Sequence, residues 1–516
     1  MDALVAALRD PACYPHPVAE VEVVETHISW VLLAGAYAYK LKKPVRLAFL
    51  DFSTLAARRR YCEEELRLNR RTAPDLYLEV VPIAQTARGP AFAAPGEPIE
   101  YAVRMRRFAG DTLAEAMARR GALGPAQIDA IAAALAQFHA AASRAGPAEA
   151  FGAPEQVAAP AAGNFDQIAA LDDDPGNAAS LAALRAWTAD ECRRLGPVFA
   201  ARRAGGCVRE CHGDLHLGNI VFIEGRVVPF DCIEFDPALR WIDVMSEVAF
   251  LVMDLLAHRL PGPAWRLLNA WLEATGDYAG IAVLRFYLVY RAMVRAKIAC
   301  LRGSGDQFRL YLGLAQALAE AKRPALILMH GLSGSGKTTV SQAVLERLGA
   351  VRVRSDIERK RLHGLDPVAR SAAGLDAGLY SAGTSRRTYE RLARCATIVL
   401  AAGYPALVDA AFLQREQRDR LRRVAGHQAI PSVIVECTAP LATVRRRVLQ
   451  RETRSTDASD AGAAVLEHQL AASQPLTQPE QAMAVSVDTD SDAAMRRGLD
   501  ALAARLATEE DALTPH

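Results

Sequence analysis

The feature that most constrains the fold is a glycine-rich run at residues 331–339, which reads Gly-Leu-Ser-Gly-Ser-Gly-Lys-Thr-Thr. An apolar segment of strand type, residues 325–330, precedes it, and a helical pattern follows it. This is the context of a phosphate-binding loop, or P-loop, in which backbone amides of the turn and of the helix N-terminus point at phosphate oxygens. Lys337 would reach the β and γ oxygens of ATP, and Thr338 would bind Mg²⁺. The predicted nucleotide contacts are Gly331, Ser333, Gly334, Ser335, Gly336, Lys337, Thr338 and Thr339.

Strand-like and helix-like segments alternate after the P-loop, with strands expected at residues 350–354, 406–409 and 432–437. This alternation predicts an α/β domain with a parallel sheet. Asp409 closes one of these strands and is a candidate Mg²⁺ ligand, acting through the water shell of the ion.

Asp356 and Arg359 follow the second of these strands, at the sheet end where open parallel sheets place their ligands. Their Asp-x-x-Arg spacing resembles the small P-loop kinases, including gluconate kinase and zeta-toxin-like kinases, in which the Asp acts on the acceptor hydroxyl. The alternative is that Asp356 caps the helix and Arg359 pairs with it on the surface. Arg447 and Arg451 precede a polar loop at residues 455–460, which resembles a kinase lid that brings arginine onto ATP; a solvated arginine face is the alternative.

A second motif, His-Gly-Asp-Leu-His-Leu-Gly-Asn, occupies residues 212–219. Asp214 and Asn219 stand five positions apart, as in the catalytic loop of protein kinases, where the Asp accepts the proton of the substrate hydroxyl and the Asn holds Mg²⁺. Two short apolar segments, joined at Glu224-Gly225, predict a hairpin that brings Asn219 close to Asp231. These two oxygen ligands would suit Mg²⁺ that bridges ATP phosphates.

The order His-Gly-Asp-x-His-x-x-Asn, with a later Asp closing a strand, resembles the aminoglycoside phosphotransferase and choline kinase superfamily, a branch of the protein-kinase-like fold. The resemblance implies an α+β bilobal domain in front of the P-loop domain. Gly213 stands where protein kinases have Arg, and Cys232 follows Asp231 where they have Phe. We therefore do not carry over regulation by an activation loop.

The N-terminal segment predicts the small lobe of such a domain, with antiparallel strands at residues 27–34 and 37–43. Lys40 is the favoured ATP lysine, but Lys42 shares its face of the strand, and the sequence does not choose between them. The helix expected from residue 53 to about 71 supplies the acid that pairs with this lysine. Glu65 lies nearer the apolar face than Glu64 and is the better candidate.

The predicted domains are residues 1–322, with a lobe boundary near residue 108, and residues 323–516. The stretch from residue 145 to 163, rich in Ala, Pro and Gly, is expected to be a loop, and Asp243 is suggested as a buried acid that anchors the catalytic loop. Helical stretches at residues 263–322 would complete the larger lobe and carry acceptor specificity.

Composition narrows the compartment and the partners. The 516 residues are 51% hydrophobic and 23% charged with a net charge of +2, which is ordinary for a globular protein and gives no case for nucleic acid or an anionic membrane. Nine cysteines, without a Cys-x-x-Cys pair, indicate a reducing compartment. No apolar run reaches 18 residues, so we expect a cytoplasmic protein.

Together the motifs predict an ATP- and Mg²⁺-dependent kinase with two nucleotide-binding modules, each transferring phosphate to hydroxyl groups of small molecules. Two other functions compete with this prediction. One is an ATP-sensing regulatory protein in which one or both modules do not catalyse transfer. The other is phosphorylation of nucleic-acid 5′-hydroxyl ends by the P-loop domain, although the sequence has no aromatic and basic track that would stack bases. The acceptors and the oligomeric state stay open.

Overall fold

The computed structural model describes residues 1–47, 50–172, 174–320, 324–365, 382–454 and 463–512. The chain divides into two compact units, Met1–Gly163 with Cys192–Asp254, and Asn164–Glu191 with Leu255–His516. The predicted boundary at 322/323 lies outside the described residues, so the domain limits stay a prediction. Among the helices of the described ranges, none combines the length and apolar character that a membrane crossing requires.

The first unit is built on a six-stranded antiparallel sheet. The strands of the whole unit, including those outside this sheet, are β1 (Val21–Glu25), β2 (Ser29–Ala34), β3 (Tyr37–Lys42), β4 (Arg46–Leu47), β5 (Leu50–Asp51), β6 (Tyr77–Thr86), β7 (Gly89–Phe92), β8 (Pro98–Arg106), β9 (Val208–Glu210), β10 (Ile220–Ile223), β11 (Arg226–Pro229) and β12 (Trp241–Asp243). The large sheet has the order β1-β2-β3-β8-β6-β7, while β10 pairs with β11, β12 with β9 and β4 with β5. Side chains alternate across β3, so Lys40 and Lys42 share one face.

The first unit also contains helices. They are α1 (Asp2–Ala7), α2 (Leu55–Asn69), α3 (Ala114–Arg119), α4 (Pro125–Ala141), α5 (Pro154–Ala169), α6 (Pro175–Ala204), α7 (Pro237–Arg240) and α8 (Val244–Ala257), of which α5, α6 and α8 continue into the second unit. Helix α2 packs on strands β6 and β8 of the six-stranded sheet. Thr54 caps α2 by accepting from Ala57 N at 3.1 Å. The predicted loop up to residue 163 is wrong in its second half, because the alanines after Pro154 favour helix and proline is tolerated in a first turn.

The second unit contains a five-stranded parallel sheet. Its strands are β13 (Leu326–His330), β14 (Val351–Arg354), β15 (Ala406–Asp409), β16 (Ser432–Thr438) and β17 (Ala484–Asp488), in the order β14-β15-β13-β16-β17. All five residues of the central strand β13 are buried, as expected for a parallel sheet covered on both faces. The structure thus confirms the predicted fold class, a kinase-like α+β domain and an α/β P-loop domain.

The helices of the second unit include the P-loop helix and three helices from the stretch before the P-loop. They are α9 (Pro261–Thr275), α10 (Ile281–Leu301), α11 (Gly305–Ala319), α12 (Lys337–Leu348), α13 (Ser355–Leu362), α14 (Ala382–Ala401), α15 (Arg415–His427), α16 (Leu441–Arg454), α17 (Ala463–Ala472), α18 (Gln478–Ala482) and α19 (Asp492–Ala512). Helices α9–α11 were expected in the larger lobe of the first domain, yet in the structure they group with the P-loop sheet.

Candidate functional site

The β10–β11 hairpin brings the two ends of the first motif together. Ile220 pairs with Pro229, and Phe230 N donates to Asn219 O at 3.0 Å. Asp231 comes next, with a φ of +65°, a left-handed conformation that is uncommon for a residue with a side chain. Its N–H donates to Tyr77 Oη at 3.1 Å, and this hydrogen bond holds the strained residue in place.

Asp214 and Asn219 contact each other across residues 212–219, the candidate catalytic loop, which is called the catalytic loop below. Asn219 Nδ2 donates to Asp214 O at 2.9 Å and faces Asp214 Oδ2 at 3.3 Å. Both contacts are made by Nδ2 of Asn219. The side-chain oxygen Oδ1 is the atom of this amide that can bind a metal ion. His216 Nδ1 accepts from Gly218 N at 3.1 Å, so the proton of a neutral His216 ring is on Nε2, which lies 3.6 Å from Asp214 Oδ2.

The loop backbone explains the glycine at position 213. Gly213 has a φ of +88°, and a Cβ at this position would lie 2.7 Å from Leu239 O. A side chain is therefore excluded by both the backbone conformation and the close approach of another segment. The arginine of protein kinases has no place in this loop.

A buried glutamate that the sequence analysis did not identify anchors the catalytic loop. Glu247 Oε2, at the start of α8, accepts from His212 N at 2.7 Å and from Gly213 N at 2.8 Å, while Oε1 contacts His139 Nε2 at 3.1 Å. Burial alone would raise the pKa of Glu247, but the His139 contact and the backbone donors lower it. Asp243 is buried, as expected, but its carboxylate pairs with Arg202 at 2.6 Å, and Glu247 makes the contacts to the loop that were expected of Asp243. An acid within the apolar run of α8 was the available signal for Glu247, and the second acid of that run, Asp254, accepts from Leu217 N at 2.9 Å.

Two lysines and three carboxylates form a network beside this loop. Lys40 Nζ donates to Glu65 Oε1 at 2.8 Å and to Asp231, and Lys42 Nζ donates to Glu65 Oε2 at 2.7 Å and to Glu234. Burial opposes the charge on Lys40, but the carboxylates of Asp231 and Glu65 outweigh it and raise its pKa. Burial likewise opposes the charge on Glu65, yet both lysines outweigh it and lower the pKa of Glu65 to about 2.

The network distinguishes the candidates that the sequence left open. Glu65 is fully buried and bonds both lysines, whereas Glu64 bonds Arg67 and Arg240, each at 2.8 Å. Only Lys40 also reaches Asp231, while Lys42 is directed to Glu234. Burial raises the pKa of Glu234, and the opposing effect of the Lys42 charge is smaller. Glu65 thus joins two pairs, Lys40 with Asp231 and Lys42 with Glu234.

The P-loop of the second unit opens onto a cavity of about 350 Å³. Helix α12 begins at Lys337, whose Nζ donates to Gly331 O at 2.9 Å and Leu332 O at 2.7 Å. Ser333 and Thr338 line the cavity, and Thr339 is exposed on α12. The P-loop members of the lining are Ser333, Gly334, Gly336, Lys337 and Thr338. A residue that the sequence analysis missed, Gln469, accepts from Ser333 N through Oε1 at 2.8 Å.

The cavity is also lined by the two residues that were predicted to act on the acceptor. Asp356, Arg359 and Tyr389 all line it, and Arg359 Nη1 lies 3.2 Å from Asp356 Oδ1. Helix α13 begins at Ser355 with Arg354 as its N-cap residue, so Asp356 does not occupy the capping position. Asp409 also lines the cavity, at the end of β15, where Ser341 Oγ donates to its Oδ2 at 2.9 Å.

Of the two predicted lid arginines, the structure describes the side-chain contacts of Arg447. Arg447 donates to Thr489 O at 2.7 Å and to Thr489 Oγ1 at 2.9 Å, and its Nη1 lies 3.5 Å from Gly334 O. Its guanidinium therefore ties the end of β17 to the P-loop. The side chain of Arg451 and the loop at residues 455–460 lie outside the described residues.

Both sites have oxygen donors that fit Mg²⁺. In the first unit these are Asn219 Oδ1 and the Asp231 carboxylate, and in the second they are Thr338 and the buried Asp409 carboxylate. Hard oxygen donors of this kind are the ones that Mg²⁺ prefers in proteins. The residues thus match the metal that the fold implies.

Comparison with known proteins places the chain in a family. A family model described as an AAA domain matches residues 326–476. Uncharacterized protein Rv2004c of Mycobacterium tuberculosis and Uncharacterized protein Mb2027c of Mycobacterium bovis are each 31% identical to this chain over 470 residues, which are 89% of this chain and 92% of theirs.

Solved kinase structures are also similar to parts of the chain. A gluconokinase from Sinorhizobium meliloti 1021 is 19% identical and covers 37% of this chain and 99% of its own, with a TM-score of 0.28. A choline/ethanolamine kinase family protein from Mesorhizobium loti is 14% identical and covers 62% and 94%, with a TM-score of 0.38. The identity to Uncharacterized protein Rv2004c of Mycobacterium tuberculosis over 89% of this chain places the chain in the family of that protein.

Proposed function

We propose that the protein is an ATP-dependent phosphotransferase with two nucleotide-binding modules, each transferring the γ-phosphate of ATP to a hydroxyl group of a small molecule. The observation that carries the proposal is the convergence of Lys40 with Glu65 and Asp231, beside the Asp214–Asn219 contact. Phosphoryl transfer needs positioned charges more than covalent chemistry, and this arrangement supplies them.

In the first module Asp214 orients the acceptor hydroxyl and takes its proton as the phosphorus–oxygen bond forms. Lys40, held by Glu65, contacts the phosphates of ATP. Asn219 and Asp231 would hold Mg²⁺, which neutralises charge on the transferred group when it is bound. Glu247 keeps the backbone of the loop in the conformation that presents Asp214.

In the second module the P-loop amides and Lys337 hold the phosphates, and Thr338 and Asp409 would hold Mg²⁺. Asp356 takes the proton of the second acceptor, and Arg359, on the same helix face, holds that acceptor. We propose the cytoplasm as the compartment, since ATP is available there and all nine cysteines are free thiols. The polar lining of the cavity supports a small hydroxylated acceptor for this module.

The test is an untargeted search for phosphorylated products. The purified full chain is incubated with ATP labelled on the γ-phosphate, Mg²⁺ and a metabolite extract, and products are identified by mass spectrometry. Asp214→Asn should remove one class of products and Asp356→Asn another, each by about 10²–10⁴-fold in rate. Asp75→Asn, an exposed acid of the first unit, serves as the matched control.

Products that persist in the double variant Asp214→Asn/Asp356→Asn would contradict the proposed roles. ATP binding without any phosphorylated product would favour the regulatory alternative. Labelling of a 5′-hydroxyl oligonucleotide that depends on Asp356 would instead assign the P-loop module to nucleic-acid ends.

A further inference from the structure

Helix α9 completes an open edge of the P-loop sheet. Strand β14 is the edge strand, and Asn269 on α9 pairs with its backbone. Asn269 Nδ2 donates to Ala350 O at 2.9 Å, and Arg352 N donates to Asn269 Oδ1 at 2.6 Å. The side-chain amide thus satisfies the groups that a further strand would bond, which fixes the register of α9 against β14.

One turn later the same helix face presents a carboxylate to the strand. Glu273 Oε1 accepts from Arg352 Nη2 at 2.7 Å and Nε at 2.8 Å, and Glu273 Oε2 lies 3.7 Å from Arg354 Nη1. The side chain of Arg352 is 6% exposed, that of Arg354 12% and that of Glu273 14%. Ionic contacts at this depth are only weakly screened by solvent.

Arg354 also lies near Asp409, the predicted Mg²⁺ ligand of the P-loop site, and Arg352 is linked to Asp409 through Ser341. Arg354 pairs in register with Asp409, and its Nε lies 4.0 Å from Asp409 Oδ2. Arg352 Nη1 donates to Ser341 Oγ at 3.2 Å, and Ser341 Oγ donates to Asp409 Oδ2 at 2.9 Å. The two guanidinium groups therefore lie between two carboxylates, Glu273 on one side and Asp409 on the other.

We propose that Glu273 is a positioning residue for the P-loop site, because its pairing with Arg352 and Arg354 keeps their charge from neutralising Asp409. Asp409 then stays available to the cation of a bound nucleotide. Without the Glu273 charge, the same two guanidinium groups would compete with Mg²⁺ for Asp409. The inference rests on the proposed nucleotide chemistry of the P-loop module.

The test measures how nucleotide binding depends on Mg²⁺ in the full chain. Lys40→Ala is the background, so that the first module contributes little binding, and the fluorescent nucleotide mant-ADP is titrated at several Mg²⁺ concentrations and in EDTA. Glu273→Gln should raise the Mg²⁺ concentration needed for half of the gain in affinity by about tenfold or more, as expected for unit charges about 4 Å apart. Affinity in EDTA should stay within about twofold, because the P-loop amides and Lys337 are untouched.

Glu346→Gln is the matched control. Glu346, on α12, pairs with Arg266, on α9, at 2.9 Å, so it joins the P-loop helix to α9 without lining the cavity. It should leave the Mg²⁺ requirement at the wild-type value. Equal shifts in the Glu346 and Glu273 variants would show that Glu273 only docks the helix, and would overturn the inference.

Two further variants keep the test decisive. Adding Arg352→Gln to Glu273→Gln should recover at least about half of the shift on a logarithmic scale, since one competing charge is gone; no recovery would count against the inference. If Glu273→Gln does not fold, Glu273→Asp replaces it in the test. The shorter side chain keeps the negative charge but holds it farther from Arg352 and Arg354, so the Mg²⁺ requirement should rise about threefold. An unchanged requirement in that variant would overturn the inference, whereas a Lys40→Ala chain that binds no mant-ADP would overturn the proposed function itself.

Discussion

Replacing Glu65 by glutamine tests the charge network at the centre of the first unit. The carboxylate accepts from Lys40 at 2.8 Å and from Lys42 at 2.7 Å, and it is fully buried. Glutamine has one acceptor oxygen, so it keeps at most one of these bonds and turns its NH₂ group toward the other ammonium. We therefore expect unfolding of the first unit to be easier by about 2–4 kcal/mol, the worth of one charged hydrogen bond plus a buried donor left without an acceptor.

The assay is thermal and urea unfolding of the full chain, followed by calorimetry and fluorescence, with Glu64→Gln as the control. Glu64 is the neighbouring acid and bonds Arg67 and Arg240 in a more exposed position, so its change should cost at most about 1 kcal/mol. If Glu65→Gln unfolds no more easily than Glu64→Gln, the two lysines do not depend on Glu65 and the reasoning fails.

The same substitution has a defined pH dependence. The folded chain lowers the pKa of Glu65 from 4.5 to about 2, so the stabilisation by this carboxylate is complete above pH 4.5 and is lost as the pH falls toward 2. The difference in stability between the wild type and Glu65→Gln should therefore narrow over this window. A difference that stays constant from pH 6 to pH 3 would contradict the assignment of the low pKa.

Three further outcomes are expected. Lys337→Ala should weaken nucleotide binding at the P-loop only, so that isothermal titration finds one tight ADP site per chain where the wild type has two; a single wild-type site would contradict the two-module proposal. Asp356→Asn should melt like the wild type while transfer by the P-loop module falls about 10²–10⁴-fold, and an unchanged rate would exclude Asp356 as the base. Gly213→Ala should destabilise the first unit by about 1–3 kcal/mol, because its Cβ would meet Leu239 O at 2.7 Å, and a stable variant would show that the loop relaxes easily.

Local motifs were predictable because a few neighbouring residues contain all of their chemistry. The P-loop needs glycines, a lysine and a strand–helix context, all within residues 325–348, and the structure has the strand and helix in these places. The hairpin after Asn219 was predicted from two apolar segments and a Glu-Gly turn, and β10 and β11 form it. Whether these residues bind and transfer phosphate stays a prediction.

Contacts between distant segments could not be predicted in the same way. Glu247 holds the catalytic loop from 35 residues away, and Lys42 meets Glu234 across 192 residues. Helices α9–α11 have an amphipathic pattern that fits packing on either module, so their grouping with the P-loop sheet was missed. The hydrophobic periodicity of a helix indicates that one of its faces is buried, but it does not indicate which element packs against that face.

By itself, the sequence determined two phosphate-type motifs and the fold class of two domains, and it predicted a short list of candidate residues for each site. The tertiary structure alone decided which of two adjacent glutamates meets the lysines, which acid supports the catalytic loop and that Glu273 faces the arginines beside Asp409. The physical reason is burial. A charged group removed from water must find an opposite charge or a hydrogen-bond donor nearby, and only the folded chain determines which distant residue supplies it.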